Sequence, residues 1–258
     1  MKKEKKYILI TDSDFTLIGD FYRNLERQGP GSADITKTAL QFIPGIGENS
    51  VIADIGCGTG GQTMTLASLL KGKITAMDLM PQFVEELNRK IHEKNLGERV
   101  TAVLGSMDTL PFGENSLDLM WAEGSIYNIG FKNGLEEWRR YLKPGGFVAV
   151  SEASWFTKER PAEIQEFWDE NYAEIATVAE KIAVIQEAGY MPVAHFALPE
   201  SSWWEYFLPI EENYDRFLEN QGNSEEARIL VRHFREEFEL YKKYRKYYGY
   251  VFYIAQKI

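Results

Sequence analysis

The feature that most restricts what this chain can fold into is the run V-I-A-D-I-G-C-G-T-G-G, Val51 to Gly61. It begins with an apolar stretch, Val51 to Ala53, that suits a buried strand. Asp54 falls where that strand should end. Gly56, Gly58, Gly60 and Gly61 then turn the chain into a stretch with Met64, Leu66, Ala67, Leu69 and Leu70 at helical spacing. Glycines at this density cost more backbone entropy than an ordinary surface turn would spend, and they let N–H groups approach a ligand closely. Strand, glycine loop and helix make the nucleotide-binding corner of an open, doubly wound α/β sheet.

Two ligand classes fit such a corner. Gly56, Gly58 and Gly61 satisfy G-x-G-x-x-G, the dinucleotide pattern, which on its own is a weak match. Asp54 opposes that reading, because a carboxylate would face a pyrophosphate with the wrong sign. A ligand bearing an ammonium and a sulfonium would instead favour it. The pattern D-I-G-C-G-T-G resembles motif I of the class I S-adenosylmethionine-dependent methyltransferases. A second acid, Asp78, ends the next predicted strand, Lys73 to Leu79, about 20 positions after the first glycine, where doubly wound folds hold a ribose diol. Both ligands contain that ribose, and Asp78 also reads as a plain cap of the helix that Pro81 opens.

Further along, Val100 to Leu104 reads as a third strand, followed by G-S-M-D-T-L-P-F. This turn resembles the G-D-A-x-x-L-P-F of the ubiquinone/menaquinone-biosynthesis-like methyltransferases, with Ser106 in the aspartate's place and Met107 in that of the small residue. Ser116 to Ala122 reads as a fourth strand running into E-G-S-I-Y-N-I-G. A helix face of Leu135, Trp138, Tyr141 and Leu142 precedes a K-P-G-G turn, Lys143 to Gly146, into a fifth strand, Phe147 to Glu152. Met191 to Leu198 is a sixth strand and Gly249 to Lys257 a last one.

The resemblance implies a seven-stranded Rossmann-like sheet in the order 3-2-1-4-5-7-6, helices on both faces and the last strand antiparallel. It implies S-adenosylmethionine as cofactor and S-adenosylhomocysteine as product. The cofactor contacts it implies are Asp54, Gly56, Cys57, Gly58, Gly60, Asp78, Leu79, Ser106, Met107 and Glu123. Tyr22 and Gln28 join them from a helical cap over the cleft, residues 1–45, although a docking helix without ligand contact serves equally for these two. The active site follows strand four, which makes Glu123 and Tyr127 the catalytic candidates and places Tyr127, Asn128 and Trp155 beside the acceptor. For Tyr127 a half-buried packing role is the competing reading. The chain reads as one domain, 1–258, with a helical insert at 199–247 (helices at 210–220 and 224–247) that shapes a substrate pocket or a homodimer contact.

Composition narrows the function further. A net charge of −10 leaves little basic surface for a phosphate backbone, so nucleic acid is disfavoured as a partner. Cys57 is the only cysteine and lies within the glycine loop, so no internal disulfide can form, and a reducing cytoplasm is expected. One cysteine and His92, His195 and His233 give no metal-ligand spacing. The apolar part of M-K-K-E-K-K-Y-I-L-I is too short for a signal sequence, and no segment reaches the length of a membrane span. After strand four the chain reads W-A-E-G, not an acid or asparagine before P-P-Y, which speaks against methylation of a nucleic-acid base. A base is then Glu123 or Glu152, or none is needed. The expectation is methyl transfer to a small-molecule acceptor by in-line displacement. A nicotinamide-dependent oxidoreductase and a catalytically idle cofactor-binding protein are the alternatives.

Overall fold

The computed structural model describes residues 12–258, so the first part of the expected cap, residues 1–11, lies outside the described residues. Among the described residues, eight strands form a single sheet. They are β1 Val51–Ile55, β2 Lys73–Asp78, β3 Val100–Leu104, β4 Leu117–Glu123, β5 Leu142–Trp155, β6 Ala176–Thr177, β7 Tyr190–Ala197 and β8 Tyr248–Lys257. The order is β3-β2-β1-β4-β5-β8-β7, with β6 pairing β5 to one side. β1 to β5 are parallel, and β8 runs antiparallel to both β5 and β7. Apart from the two-residue β6, this is the expected seven-strand order. A two-residue strand is too short to carry a period that a sequence could display.

The helices are α1 Asp12–Tyr22, α2 Ala33–Leu40, α3 Gly61–Leu69, α4 Pro81–Glu93, α5 Phe131–Trp138, α6 Ala162–Asn171, α7 Val178–Glu187, α8 Glu200–Asn220 and α9 Glu225–Tyr244. Their ends follow local chemistry. The Ser32 and Ser224 hydroxyls accept the backbone N–H groups of Ile35 and Ala227. Thr177 and Glu180 form a reciprocal capping box, and Pro81 opens α4 where its missing N–H costs nothing.

Alternation along the strands divides the interior. Ile52, Leu119, Phe147 and Phe252 face one side and pack with Leu66 of α3 and Leu87 and Ile91 of α4. Ala53, Met120, Val148 and Tyr253 face the other, against Leu135 and Trp138 of α5 and Ile185 of α7. A third core joins α1, α6, α8 and α9 and is built chiefly of aromatic rings, among them Phe21, Tyr22, Trp155, Trp203, Phe207, Phe234, Phe238, Tyr241 and Tyr248.

Several boundaries differ from the expected ones. K-P-G-G is part of β5, whose pairing with β4 shifts register between Leu117 and Leu119, rather than a separate turn. α5 stops at Trp138, so Tyr141 and Leu142 of its expected face lie beyond it. α8 starts ten residues before the expected helix because it runs straight through Pro209. The helix tolerates that break because both flanks are held by buried rings, Trp203, Tyr206 and Phe207 on one side and Tyr214 and Phe217 on the other.

Candidate active site

The site is assembled where β1, β2, β4 and β5 end. The glycine loop lies between β1 and α3, and its N–H groups at Gly56 and Cys57 both donate to the Met77 carbonyl of β2. Gly56 and Gly58 have φ of +71° and +55°, angles that L side chains rarely adopt. A Cβ on Gly56 would crowd Ser125, which follows β4 and whose hydroxyl donates to the Ile55 carbonyl at 2.7 Å. A Cβ on Gly58 would collide with the Gln28 amide. The loop is therefore pressed from two sides, by the turn after β4 and by the segment between α1 and α2.

Gln28 accepts from the Thr59 N–H at 2.9 Å and donates to the Thr59 hydroxyl at 3.1 Å. The Thr59 hydroxyl in turn donates to the Leu25 carbonyl at 2.8 Å. The structure thus brings Gln28 to the loop through Thr59. Gly60 caps α3, and Cys57 is buried with its thiol pushed up by burial and by the nearby Asp54 and Asp78 carboxylates.

The two strand-end acids are placed differently. Asp78 closes β2 and accepts the Gly58 N–H at 2.8 Å and the Met80 N–H at 2.9 Å, one on each oxygen. Burial raises its pKa, opposed by those backbone donors. Asp54 does not end β1 but sits inside it, completely buried, and accepts the Thr63 hydroxyl at 2.6 Å and the Gln62 amide at 3.4 Å from the first turn of α3. Burial pushes its pKa up to about 7. It braces the loop-to-helix junction from beneath.

Leu79 is 54% exposed beside Asp78, an apolar surface at the cleft's edge. Met107 reaches over the glycine loop, its Cε about 3.5 Å from where a Gly56 Cβ would stand. Ser106 donates to Asp108 at 2.8 Å and also accepts the Asp108 N–H, closing the turn after β3 on itself.

Glu123 departs from its expected role. Its Oε1 accepts the Thr36 hydroxyl at 2.6 Å and the Trp121 indole N–H at 2.9 Å, and its Oε2 pairs with Arg27 at 2.7 Å. With both oxygens filled and the side chain 4% exposed, Glu123 is a tie between β4 and the α1–α2 segment rather than a free base. Trp155 departs too. It is 1% exposed, packs on Tyr248 with ring centroids 6.0 Å apart, and carries the Arg160 guanidinium over its face at 4.1 Å. It is a wall of the aromatic core and not an open acceptor surface. Tyr22 is buried in the same core, its hydroxyl 2.7 Å from that of Tyr206.

Tyr127 lies on the 3-10 turn Ile126–Ile129 after β4, 43% exposed, with its ring 5.8 Å from that of Tyr172. Asn128 is exposed, and its amide donates to the Ser125 carbonyl at 2.9 Å. Glu152 stands one position beyond the Glu123–Ser151 pair on β5. It is fully buried, neither oxygen has a hydrogen-bond partner, and Lys181 Nζ is 3.5 Å from Oε1. Burial lifts its pKa to about 7 against the pull of Lys181. Lys181 donates to the Tyr172 hydroxyl at 3.1 Å and lies 4.3 Å over the Phe131 ring.

Sequence reasoning missed Arg27, Thr36 and Trp121, which reach Glu123 across 96, 87 and 2 residues. It also missed Glu237 on α9. A signal for Glu237 existed: an acid three residues after Phe234 and four before Tyr241 falls on the helix's apolar stripe.

Comparison with known proteins settles the class of the domain. Residues 52–146 match the family described as "Methyltransferase domain". Over residues 52–146 the chain carries a methyltransferase domain. The chain is 24% identical over 188 residues to phosphoethanolamine N-methyltransferase of Plasmodium falciparum, covering 71% of this chain and 68% of that one. It is 30% identical over 114 residues to sterol 24-C-methyltransferase of Kluyveromyces lactis, covering 44% of this chain but only 31% of the relative. The same fold is seen in a methyltransferase from Thiobacillus denitrificans solved with S-adenosylhomocysteine. Their TM-score is 0.82 at 18% identity, over 94% of this chain and 98% of that one.

Proposed function

We propose that the protein transfers the methyl group of S-adenosylmethionine to a small molecule held between the turn after β4 and the helices α8 and α9. The observation that carries this is the cradle itself: glycines at positive φ, the Asp78 carboxylate beside them, and the Ser125–Tyr127 turn pressed against Gly56. These residues suit the cofactor. Each Asp78 oxygen makes one hydrogen bond and keeps acceptor capacity for a ribose hydroxyl, while Leu79 and Met107 offer apolar cover to a purine.

When bound, the cofactor supplies an electrophilic sulfonium methyl whose C–S bond breaks as the acceptor's lone pair forms the new bond. The chain's own residues position and dry the reaction. Orientation of this kind supplies about 7–11 kcal/mol of barrier lowering in the best cases. Glu152, which faces only Lys181 and accepts no hydrogen bond, is better suited than Glu123 to take a proton from the acceptor, and a pKa of about 7 suits a general base at neutral pH. Tyr127 presents a ring face and a hydroxyl beside it.

Calorimetric titration with S-adenosylhomocysteine, followed by incubation of a metabolite pool with labelled donor and mass analysis of the labelled product, tests the proposal. Micromolar-order binding, about −8 kcal/mol, and one labelled small molecule are expected. Absence of S-adenosylhomocysteine binding overturns the reading.

A further inference from the structure

α9 turns one stripe inward, Phe234, Phe238 and Tyr241, and Glu237 stands on that stripe. Phe234 packs on Tyr22 with centroids 5.5 Å apart, and Tyr241 stacks on Trp203 at 4.0 Å. The Glu237 carboxylate lies within Coulombic reach of six tyrosines: Tyr22, Tyr127, Tyr206, Tyr214, Tyr248 and Tyr250. Tyr250 closes toward the site from β8, its ring Cε1 being 3.3 Å from where a Cβ on Gly124 would stand, next to Glu123. These tyrosines therefore connect α9 to the turn that carries Tyr127.

No cation among the described residues forms an ion pair with Glu237, and burial alone accounts for the rise of its pKa to about 7. On α9, Arg235 stacks on the Tyr214 ring at 5.0 Å, and Lys242 lies over Phe238 at 4.3 Å. A second observation is independent of the acid. Tyr248, 1% exposed, has a buried phenol oxygen with no hydrogen-bond partner, as has the buried Tyr214. Unpaired buried hydroxyls and an unpaired acid each cost free energy that a ligand can return.

We propose that Glu237 and the tyrosines around it hold a positively charged nitrogen of the methyl acceptor, with Glu237 as its counter-ion and the tyrosine rings as its partners. The acceptor class is thus an amine or ammonium compound. The inference deepens the methyltransferase reading and rests on it for the word acceptor. A cation is the group that an unpaired carboxylate and a set of electron-rich ring faces recognise together; ring faces contribute most where water is excluded. Glu152, near Tyr127 and Tyr250 but already facing Lys181, is left for the proton of the reacting atom.

The test uses calorimetry with two probes of one shape, choline and the carbon analogue in which a tert-butyl group replaces the trimethylammonium. Both are titrated into the full chain saturated with S-adenosylhomocysteine. Choline is expected to bind at least tenfold more tightly than the neutral analogue, and Glu237→Gln is expected to erase that preference. Equal affinities, no choline binding up to about 10 mM, or a preference that survives in Glu237→Gln overturns the proposal. Tyr206→Phe, which keeps the ring and the charge, should retain the preference and shows that the loss in Glu237→Gln is one of charge. Titration of S-adenosylhomocysteine into each variant separates the two ideas. If it binds unchanged while choline shows no preference, the cation site fails and the methyltransferase reading stands. If it does not bind at all, the cofactor reading fails, whatever the probes do.

Discussion

Asp78 closes β2, Glu123 closes β4 and Glu152 lies near the end of β5, and what each does follows from what already touches it. Asp78 is held by two backbone N–H groups and keeps lone pairs for a diol. Asp78→Ala should weaken S-adenosylhomocysteine binding by about 1.5–3 kcal/mol, roughly 10- to 150-fold by calorimetry. An unchanged affinity in the folded variant removes Asp78 from the cofactor site. Glu123 and Glu152 form a matched pair of experiments. Glu152→Gln should lower kcat about 100- to 10,000-fold. Because it leaves the buried Lys181 without its counter-charge, it should lower the melting temperature as well, so kcat is the readout that separates the two variants. Glu123→Gln leaves Arg27, only 13% exposed, without its counter-charge, and breaking a buried pair in this way costs about 3–5 kcal/mol. Its signature is a lowered melting temperature with cofactor affinity falling as the α1–α2 segment loosens. The reverse pattern in the two variants would return the base to Glu123. The acids at 78 and 123 were legible in the sequence, because strand-end positions are countable. Which of Glu123 and Glu152 was free was not legible, since Arg27 and Thr36 reach Glu123 from about 90 residues away in the chain.

Among elements, the nucleotide-binding half reads directly from its pattern, and the cap does not. β1, β2 and β3 with α3 and α4 repeat a short apolar run, a glycine or acid, and an amphipathic helix, so periodicity locates them. α8 and α9 interrupt their pattern with Pro209, with exposed Leu208 and Ile229, and with Glu237 on the inner face. Their register is set by aromatic contacts with α1 and β8 that no local window contains. Asn213 of α8 donates to the Phe21 carbonyl of α1 at 2.9 Å, and Phe21 stacks on Phe234 of α9 at 4.6 Å. α8 and α9 are therefore tied to α1. Trp203 joins Phe207, Tyr241, Tyr248 and Tyr250 in a single contact set. Trp203→Ala should cost about 3–5 kcal/mol, seen as a lower denaturant midpoint. A loss below about 1 kcal/mol would mean that the cap is not packed as described.

For the whole molecule, buried carboxylates with raised pKa values shape the pH dependence, three of them most strongly. Burial raises Asp54, Glu152 and Glu237 to about 7 from unperturbed values of 3.8 for the aspartate and 4.5 for the two glutamates. Between those values and 7 the folded chain holds more protons than the unfolded one. Their stabilising contribution is thus complete below about pH 4 and is lost as pH rises through 7. Glu237→Gln removes one of the three. The stability difference between wild type and this variant should tilt by on the order of 1–3 kcal/mol between about pH 4.5 and 8, the wild type losing ground as pH rises. A flat difference in urea titrations across that range would show that Glu237 is not desolvated. The sheet order has another consequence, in time rather than space. β8 occupies the slot between β5 and β7, so during synthesis β5 and β7 emerge as two unjoined edges. Neither edge can pair with β8 until residues 248–257 have left the ribosome. The nascent chain must carry its half-built sheet through translation, exposed to any other strand nearby, and a pause just before Tyr248 would prolong that exposure.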